Sequence, residues 1–375
     1  MSTPLVSVVM ASYNHERFVD ETVQSVLRQT LHDFELIVTD DGSTDGTADR
    51  IAAHRDPRIQ LHRFAANRGV CVAMNNSIRQ ASAPYVAMIN SDDSFLAHKL
   101  ETQLQFLEQH PDITASFTRV NAIDELGTQL GEDEHVYARI FDQPNRSRHE
   151  WLRTFFLSGN RLCHPSLMIR RDAYRRAGLY DERLQQLPDF DMWVRLCLRD
   201  EIHVLPERLV RFRVHTASAS APMAQSYARA IWEHRRIFDH FLKLGADDLR
   251  RMLPEVCSGI DVEDDDVPYL LARAALERRG DGAFELFGLE TLYAVQGSSD
   301  APRIERKFGF STTDLLRIAR DRDPFNVMRN ALLQSRVAEL EAKLAALREP
   351  VKPPSAGRSR SLLRSVLASA FRSRR

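Results

Sequence analysis

Short apolar runs alternate with amphipathic stretches through the first hundred residues. Residues 5–11 form a continuous, partly β-branched run of strand length, and residues 34–38 form a second. Between them Phe18, Val19, Val23, Val26 and Leu27 recur at helical spacing. Residues 58–64 and 85–89 read as a third and a fourth strand, with one helix running through Ile51 and another over residues 70–79. Strands that alternate with helices of about ten residues imply right-handed crossovers and a mainly parallel sheet, hence an α/β domain.

Beyond residue 100 the pattern loosens. It predicts a helix over 98–108, a strand over 113–120, a polar loop region over 127–148, a strand over 166–170, helices over 172–177 and 190–198, and a strand over 203–214 around Pro206. Past residue 220 the chain turns arginine- and alanine-rich and helical. Leu333, Val337, Leu340, Leu344 and Leu347 alternate steps of four and three, a coiled-coil seam of about two heptads through which copies of the chain would associate. Pro350, Pro353 and Pro354 then make a stiff linker. The expected organisation is an α/β domain over 1–220, a helical extension over 221–330, a short coiled coil over 331–349, and a linker with a basic tail over 350–375.

Composition changes this picture in one place. The chain has 375 residues with 51 basic and 52 acidic side chains, which gives no global reason to expect nucleic acid as a partner. The balance is uneven, because residues 358–375 hold six arginines and no acid. Leu362, Leu363, Val366, Leu367, Ala370 and Phe371 share one helical face there, the pattern of a helix lying on anionic membrane. No apolar run approaches the roughly 20 residues that span a bilayer, and the first residues lack a secretory pattern. Four scattered cysteines without a Cys-x-x-Cys spacing fit reduced thiols. The expected location is the cytoplasm, with peripheral contact at the inner face of the membrane.

Candidate chemistry gathers where three predicted strands end. Ser12, Tyr13 and Asn14 follow the first, Asp40, Asp41, Gly42, Ser43, Thr44 and Asp45 the second, and Asn90, Ser91, Asp92 and Asp93 the fourth. In an open parallel sheet these ends line one edge, where ligands bind. Carboxylates crowded there repel unless a cation or a hydrogen-bonding ligand joins them. Mg²⁺ or Mn²⁺ suits such oxygens and completes its coordination with substrate phosphates, so the edge reads as a nucleotide-phosphate and metal site. A plain helix cap from Ser43 or Thr44 is expected as well, but the pair Asp40 and Asp41 exceeds what a cap needs. A calcium loop starting at Asp41 fails, because its twelfth position is Ala52 where a bidentate glutamate is required.

These clusters, with Asn67, Arg68, Gly69, Ala73, Met74 and Asn75, resemble the signature of family 2 glycosyltransferases, and Val8 to Asn14 fits the same pattern. The likeness covers residues 5–100 and resumes at His164 to Arg170, at Gly178 to Glu182, at Asp189 to Trp193 and at Phe212 to His215. It implies a GT-A fold, a nucleotide-diphospho-sugar donor, a glycan or lipid-linked acceptor, and Mn²⁺ or Mg²⁺. Carried over by position, Ser12, Tyr13, Asp40, Asp41 and Asn67 hold the nucleotide, Asn90 lies near the ribose, and Asp93 supports the sugar or the metal. Asp92 and His215 hold the metal, and Asp189 is the base that deprotonates the acceptor hydroxyl. Members usually show Glu-Asp at that point, whereas this chain has Pro188 and Asp189, which leaves Asp191 as the second candidate. One base and no enzyme nucleophile imply single displacement with inversion, in cell-surface polysaccharide or glycan assembly. A nucleotidyltransferase would need a glycine-rich basic loop where Ser12 to Glu16 stand. A catalytically inactive scaffold subunit is the remaining alternative, consistent with Pro188 and the coiled coil.

Overall fold

A computed structural model of the protein describes residues 3–131, 133–215 and 224–348. The apolar runs become the centre of an eight-stranded sheet: β1 (Val6–Ser12), β2 (Phe34–Asp40), β3 (Ile59–Arg63), β4 (Tyr85–Asn90), β5 (Ser94–Phe95), β6 (Ile113–Ile123), β7 (Met168–Arg170) and β8 (Glu201–Arg213). Their order is β3-β2-β1-β4-β7-β6-β8-β5. The first four pair in parallel, as the alternation predicts, and β6 pairs in parallel with β8, while β7 and β5 run antiparallel to their neighbours. The two-residue β5 is too short to leave a pattern in the sequence. Pro206 stays within β8 because the register with β6 jumps from Leu205 to Arg208, a bulge that excuses its missing N–H.

Successive residues of β1, β2 and β4 face opposite sides of the sheet, and both sides are covered, which is why these strands read as unbroken apolar runs. Val8, Met10, Leu36, Val38, Ala87 and Ile89 pack against the helices Val19–Leu27 and Lys99–Gln109. Val9, Ile37, Val86 and Met88 face the helices Val70–Gln80, Arg148–Ser158 and Pro188–Cys197. The irregular region expected over 127–148 carries a helical turn, Val136–Ile140, and the start of the helix Arg148–Ser158 is fixed by a capping box between Ser147 and Glu150.

The chain divides into two units, 1–322 and 323–375. Within the first, the helices after residue 223 share the core of the α/β layer. Phe156 of Arg148–Ser158 meets Phe238 and Phe241 at ring separations of 5.4 and 5.1 Å, and Phe284 and Phe287 of Gly282–Gln296 close the cluster. In the second unit the helix Val327–Arg348 carries most of the predicted seam, with Leu333, Val337, Leu340 and Leu344 exposed. The linker and basic tail expected over 350–375 lie outside the described residues. Among the described residues no helix is long and apolar enough to cross a membrane. Cys71, Cys163, Cys197 and Cys257 are free and buried.

The turn after β2 depends on Gly42, which has φ +74° and lies so close to the next loop that an added Cβ would stand 2.5 Å from the Ala66 carbonyl carbon. Backbone on both sides leaves no room to relax. Gly42→Ala should therefore cost roughly 1–3 kcal/mol, seen as a lower urea midpoint with an unchanged slope.

Candidate active site

Strand register sets the positions of the polar groups. Ser12 is paired with Asp40, and Ala11 with Asn90. The Ser12 hydroxyl donates to Asp40 Oδ2 at 3.1 Å, and Ser43 donates twice, through its N–H (3.0 Å) and its hydroxyl (2.6 Å). Asp41 accepts the N–H groups of Arg68 (2.7 Å) and Gly69 (2.9 Å), which fixes the loop holding the exposed Asn67. Burial raises the Asp41 pKa in spite of those two bonds. The next helix, Thr47–Ala53, has Gly46 at its N-cap without a side-chain cap, and Asp45 Oδ1 one residue earlier accepts the Thr47 N–H at 3.0 Å, so neither Ser43 nor Thr44 caps it as expected. Ser43 instead turns back to Asp40, while Thr44 donates its N–H to Asn14 at 2.9 Å.

That clip shapes the loop after β1. Asn14 takes φ +52°, Tyr13 is exposed, and the His15 N–H is held by Thr47 Oγ1 at 2.8 Å. His15 is thereby aimed at the end of β4, where its Nδ1 lies 2.8 Å from Ser91 Oγ. One nitrogen of His15, one oxygen of Asp92 and one nitrogen of His215 lie within 4.8 Å of one another. His215 Nε2 is 3.0 Å from Asp92 Oδ2, and its ring packs 4.8 Å from Phe18 and edge-on to His15. Two imidazoles and a carboxylate converging on one point form a reasonable partial ligand set for a divalent ion. They suit Mn²⁺ or a later transition ion better than Mg²⁺, which takes oxygen ligands.

Asp93 has another task. Its carboxylate is buried and accepts the Arg213 N–H at 2.7 Å and the Asn90 side-chain amide at 2.9 Å. Burial, and then the charge of Asp92, pushes its pKa well up. The Arg213 guanidinium, itself buried, donates to the Asp92 carbonyl at 2.9 Å and to the carbonyls of Asp124 and Glu125 at 3.1 Å, and pairs with Glu21 at 2.5 Å. The end of β8 is thus latched onto the β4 loop, and His215 follows two residues later. His15 and Arg213 were not predicted as site residues. Arg213 stands within the Phe212 to His215 motif and His15 directly follows the Val8 to Asn14 motif, but only the tertiary fold brings either to the carboxylates.

Asp189 and Asp191 open the helix Pro188–Cys197 and have opposite surroundings. Asp189 is partly exposed and accepts the Asn160 amide at 2.7 Å and the Phe190 N–H at 2.8 Å. Its pKa is pushed up to about 6, chiefly by the protein packed around it. Asp191 is buried, with Arg195 Nε donating to Oδ2 at 2.7 Å and His240 Nε2 at 2.7 Å from Oδ1. Burial alone would raise its pKa, but the His240 bond and the Arg195 charge hold it below the ordinary value. Both acids have each oxygen hydrogen-bonded, but Asp191 is buried against charged or chargeable partners, whereas Asp189 is partly exposed and bonded to neutral amides. The buried Cys163 thiol connects the two regions: after burial itself, the charges of Asp93, Asp189 and Asp92 all raise its pKa. Asn75 ties the helix Val70–Gln80 to the Tyr180 loop, donating to the Tyr180 carbonyl at 2.8 Å and accepting its N–H at 3.0 Å. The Tyr180 hydroxyl lies 2.9 Å from His164 Nε2.

Comparison with known proteins bears on the family and the fold. The family model described as Glycosyl transferase family 2 matches residues 7–177. An uncharacterized glycosyltransferase of Methanocaldococcus jannaschii is 30% identical over 219 residues, which cover 57% of this chain and 72% of the relative. The Bacillus subtilis protein named as glycosyltransferase EpsE is 33% identical over 199 residues, 52% of this chain and 67% of its own. A second Bacillus subtilis protein, named as the teichuronic acid biosynthesis glycosyltransferase TuaG, is 39% identical over 137 residues, 36% of this chain and 53% of its own. Among solved structures, S. aureus TarS 1–349 in complex with UDP-GlcNAc superposes with a TM-score of 0.53 at 18% identity, covering 81% of this chain and 76% of that one. That likeness shows a shared GT-A fold. With a carboxylate-lined sheet edge, matching relatives and a matching fold, the chain belongs to glycosyl transferase family 2.

Proposed function

We propose that the protein is a metal-dependent, inverting glycosyltransferase that moves a sugar from a nucleotide-diphospho-sugar to a hydroxyl of a glycan or lipid-linked acceptor in polysaccharide assembly. The observation that carries this reading is that two kinds of acid stand in different surroundings. Asp92 stands with two imidazoles, while the hydrogen-bond partners of Asp189 are neutral amides and its pKa is pushed up to about 6. The name of TuaG supports a polysaccharide product, and the UDP-GlcNAc bound by TarS supports a uridine nucleotide as donor.

Asp92, His15 and His215 would hold Mn²⁺, which when bound stabilises negative charge on the departing diphosphate. Ser12, Tyr13, Asp40, Asp41 and Asn67 line the nucleotide side, and Asn90 and Asp93 the ribose and sugar side. Asp189 accepts the proton of the acceptor hydroxyl as it attacks the anomeric carbon from the opposite face. Asp191 is a structural ion-pair partner and not the base. An acid of pKa about 6 is ionised at neutral pH yet basic enough to accept a proton in the transition state. The four buried free cysteines fit a reducing cytoplasm. The exposed stripe of Val327–Arg348 fits pairing with a second copy.

Four outcomes are expected. Asp92→Ala and His15→Ala should each abolish Mn²⁺-dependent binding of UDP in calorimetry, and wild-type binding in either would remove that residue from the metal site. Asp189→Asn should retain Mn²⁺-dependent UDP binding while transfer falls roughly 10²- to 10⁴-fold. In the wild type kcat/KM should rise with pH through about 6 and then level, because the base must be ionised to act. An inactive scaffold would turn over no UDP-, GDP- or dTDP-sugar with Mn²⁺ at any pH. Leu340→Asp should lower the mass measured by light scattering if the stripe joins two copies.

A further inference from the structure

We propose that the helical segment after residue 223 is part of the transfer machinery, with Glu233 and His240 acting as positioning residues that bracket Asp189. The proposal rests on Asp189 being the base. Glu233, on the helix Ala224–Phe238, is buried and accepts three consecutive backbone N–H groups, those of Gln185, Gln186 and Leu187, each at 2.8 Å. The next residues are Pro188 and Asp189. Leu187, at the head of the helix Pro188–Cys197, has no side-chain cap of its own, so the chain enters that helix on the grip of a carboxylate from another element. Arg229, one turn before Glu233, holds the Gln185 side chain as well. Two residues beyond Asp189, His240 fixes Asp191 at 2.7 Å. The base thus hangs between two tethers, neither of them within the stretch matched by the family model.

A grip of this kind matters because displacing a reacting group by about 1 Å can cost 10²-fold in rate. Glu233 also acts through its charge. Among the described residues no cation pairs with it, and its field favours the protonated form of Asp189. The other groups around Asp189 are the Asn160 amide and the buried Cys71, Cys163 and Tyr180, each of which feels its charge.

The test uses the full chain with Mn²⁺ and UDP-GlcNAc as donor. Glu233→Gln should leave UDP binding unchanged, lower kcat by roughly 10- to 100-fold, and move the acidic limb of the pH profile downward, since a negative charge beside the base is lost. Glu233→Asp keeps the charge but cannot reach all three N–H groups, so kcat should fall while the limb stays. His240→Gln should lower kcat and spare UDP binding. Two further measurements need no turnover: carbodiimide labelling of Asp189 against pH, which should shift downward in Glu233→Gln, and hydrogen exchange of the 185–187 amides, which should quicken there. Wild-type kcat, limb, labelling midpoint and exchange in Glu233→Gln would overturn the proposal. If Asp189→Asn is inactive in the same preparation, only the positioning role fails. A fully active Asp189→Asn overturns the base itself.

Discussion

Bringing four carboxylates together at one edge of a sheet is the condition that the rest of this structure meets. Asp40, Asp41, Asp92 and Asp93 are each less than a tenth exposed. A buried charge without partners costs several kcal/mol, so every neighbouring loop is shaped by the need to supply donors. Asp40 is met by two serines, Asp41 by the amides of the 68–69 turn, and Asp93 by Asn90 and the Arg213 backbone. These bonds fold the turns after β1 and β2 and latch β8 to β4. Asp92 differs from the other three, since its neighbours are imidazoles that can themselves bind an ion.

The same chemistry explains why the second region stands apart. Asp189 and Asp191 share a helix and differ by two positions, yet Asp191 is clasped by Arg195 and His240 while Asp189 meets only neutral donors, the Asn160 amide and the Phe190 N–H. A charged partner keeps an acid ionised and inert, while a crowded site with only an amide raises its affinity for a proton.

Much of the carboxylate-lined edge was legible in the sequence because strand and loop there are local. The apolar runs locate β1, β2 and β4, and the polar residues that follow each run must lie at the same edge. The register adds only that Ser12 is opposite Asp40. What stayed hidden depends on long-range packing. His15 is an ordinary loop histidine until Thr47 and Ser91 orient it, and Arg213 is one arginine of many until its guanidinium is buried beneath the β4 loop. The different surroundings of Asp189 and Asp191 come from Asn160 and His240, 29 residues before one and 49 after the other. Helical spacing after residue 220 predicts helices, but the Phe156 cluster that joins them to the sheet involves residues 82 to 131 positions apart, beyond the reach of any local pattern.

The four cysteines turn this architecture into its own clock. Each thiol is buried and made less acidic: Cys71 in the helix Val70–Gln80 is raised to about 12, and burial also raises Cys163, Cys197 at the end of the helix Pro188–Cys197 and Cys257 in the extension. An alkylating reagent reaches a thiol only when the surrounding segment opens. The four alkylation rates therefore date four separate openings in one unmodified chain. Comparing Cys197 with Cys257 reveals whether the extension and the helix it grips breathe together or apart.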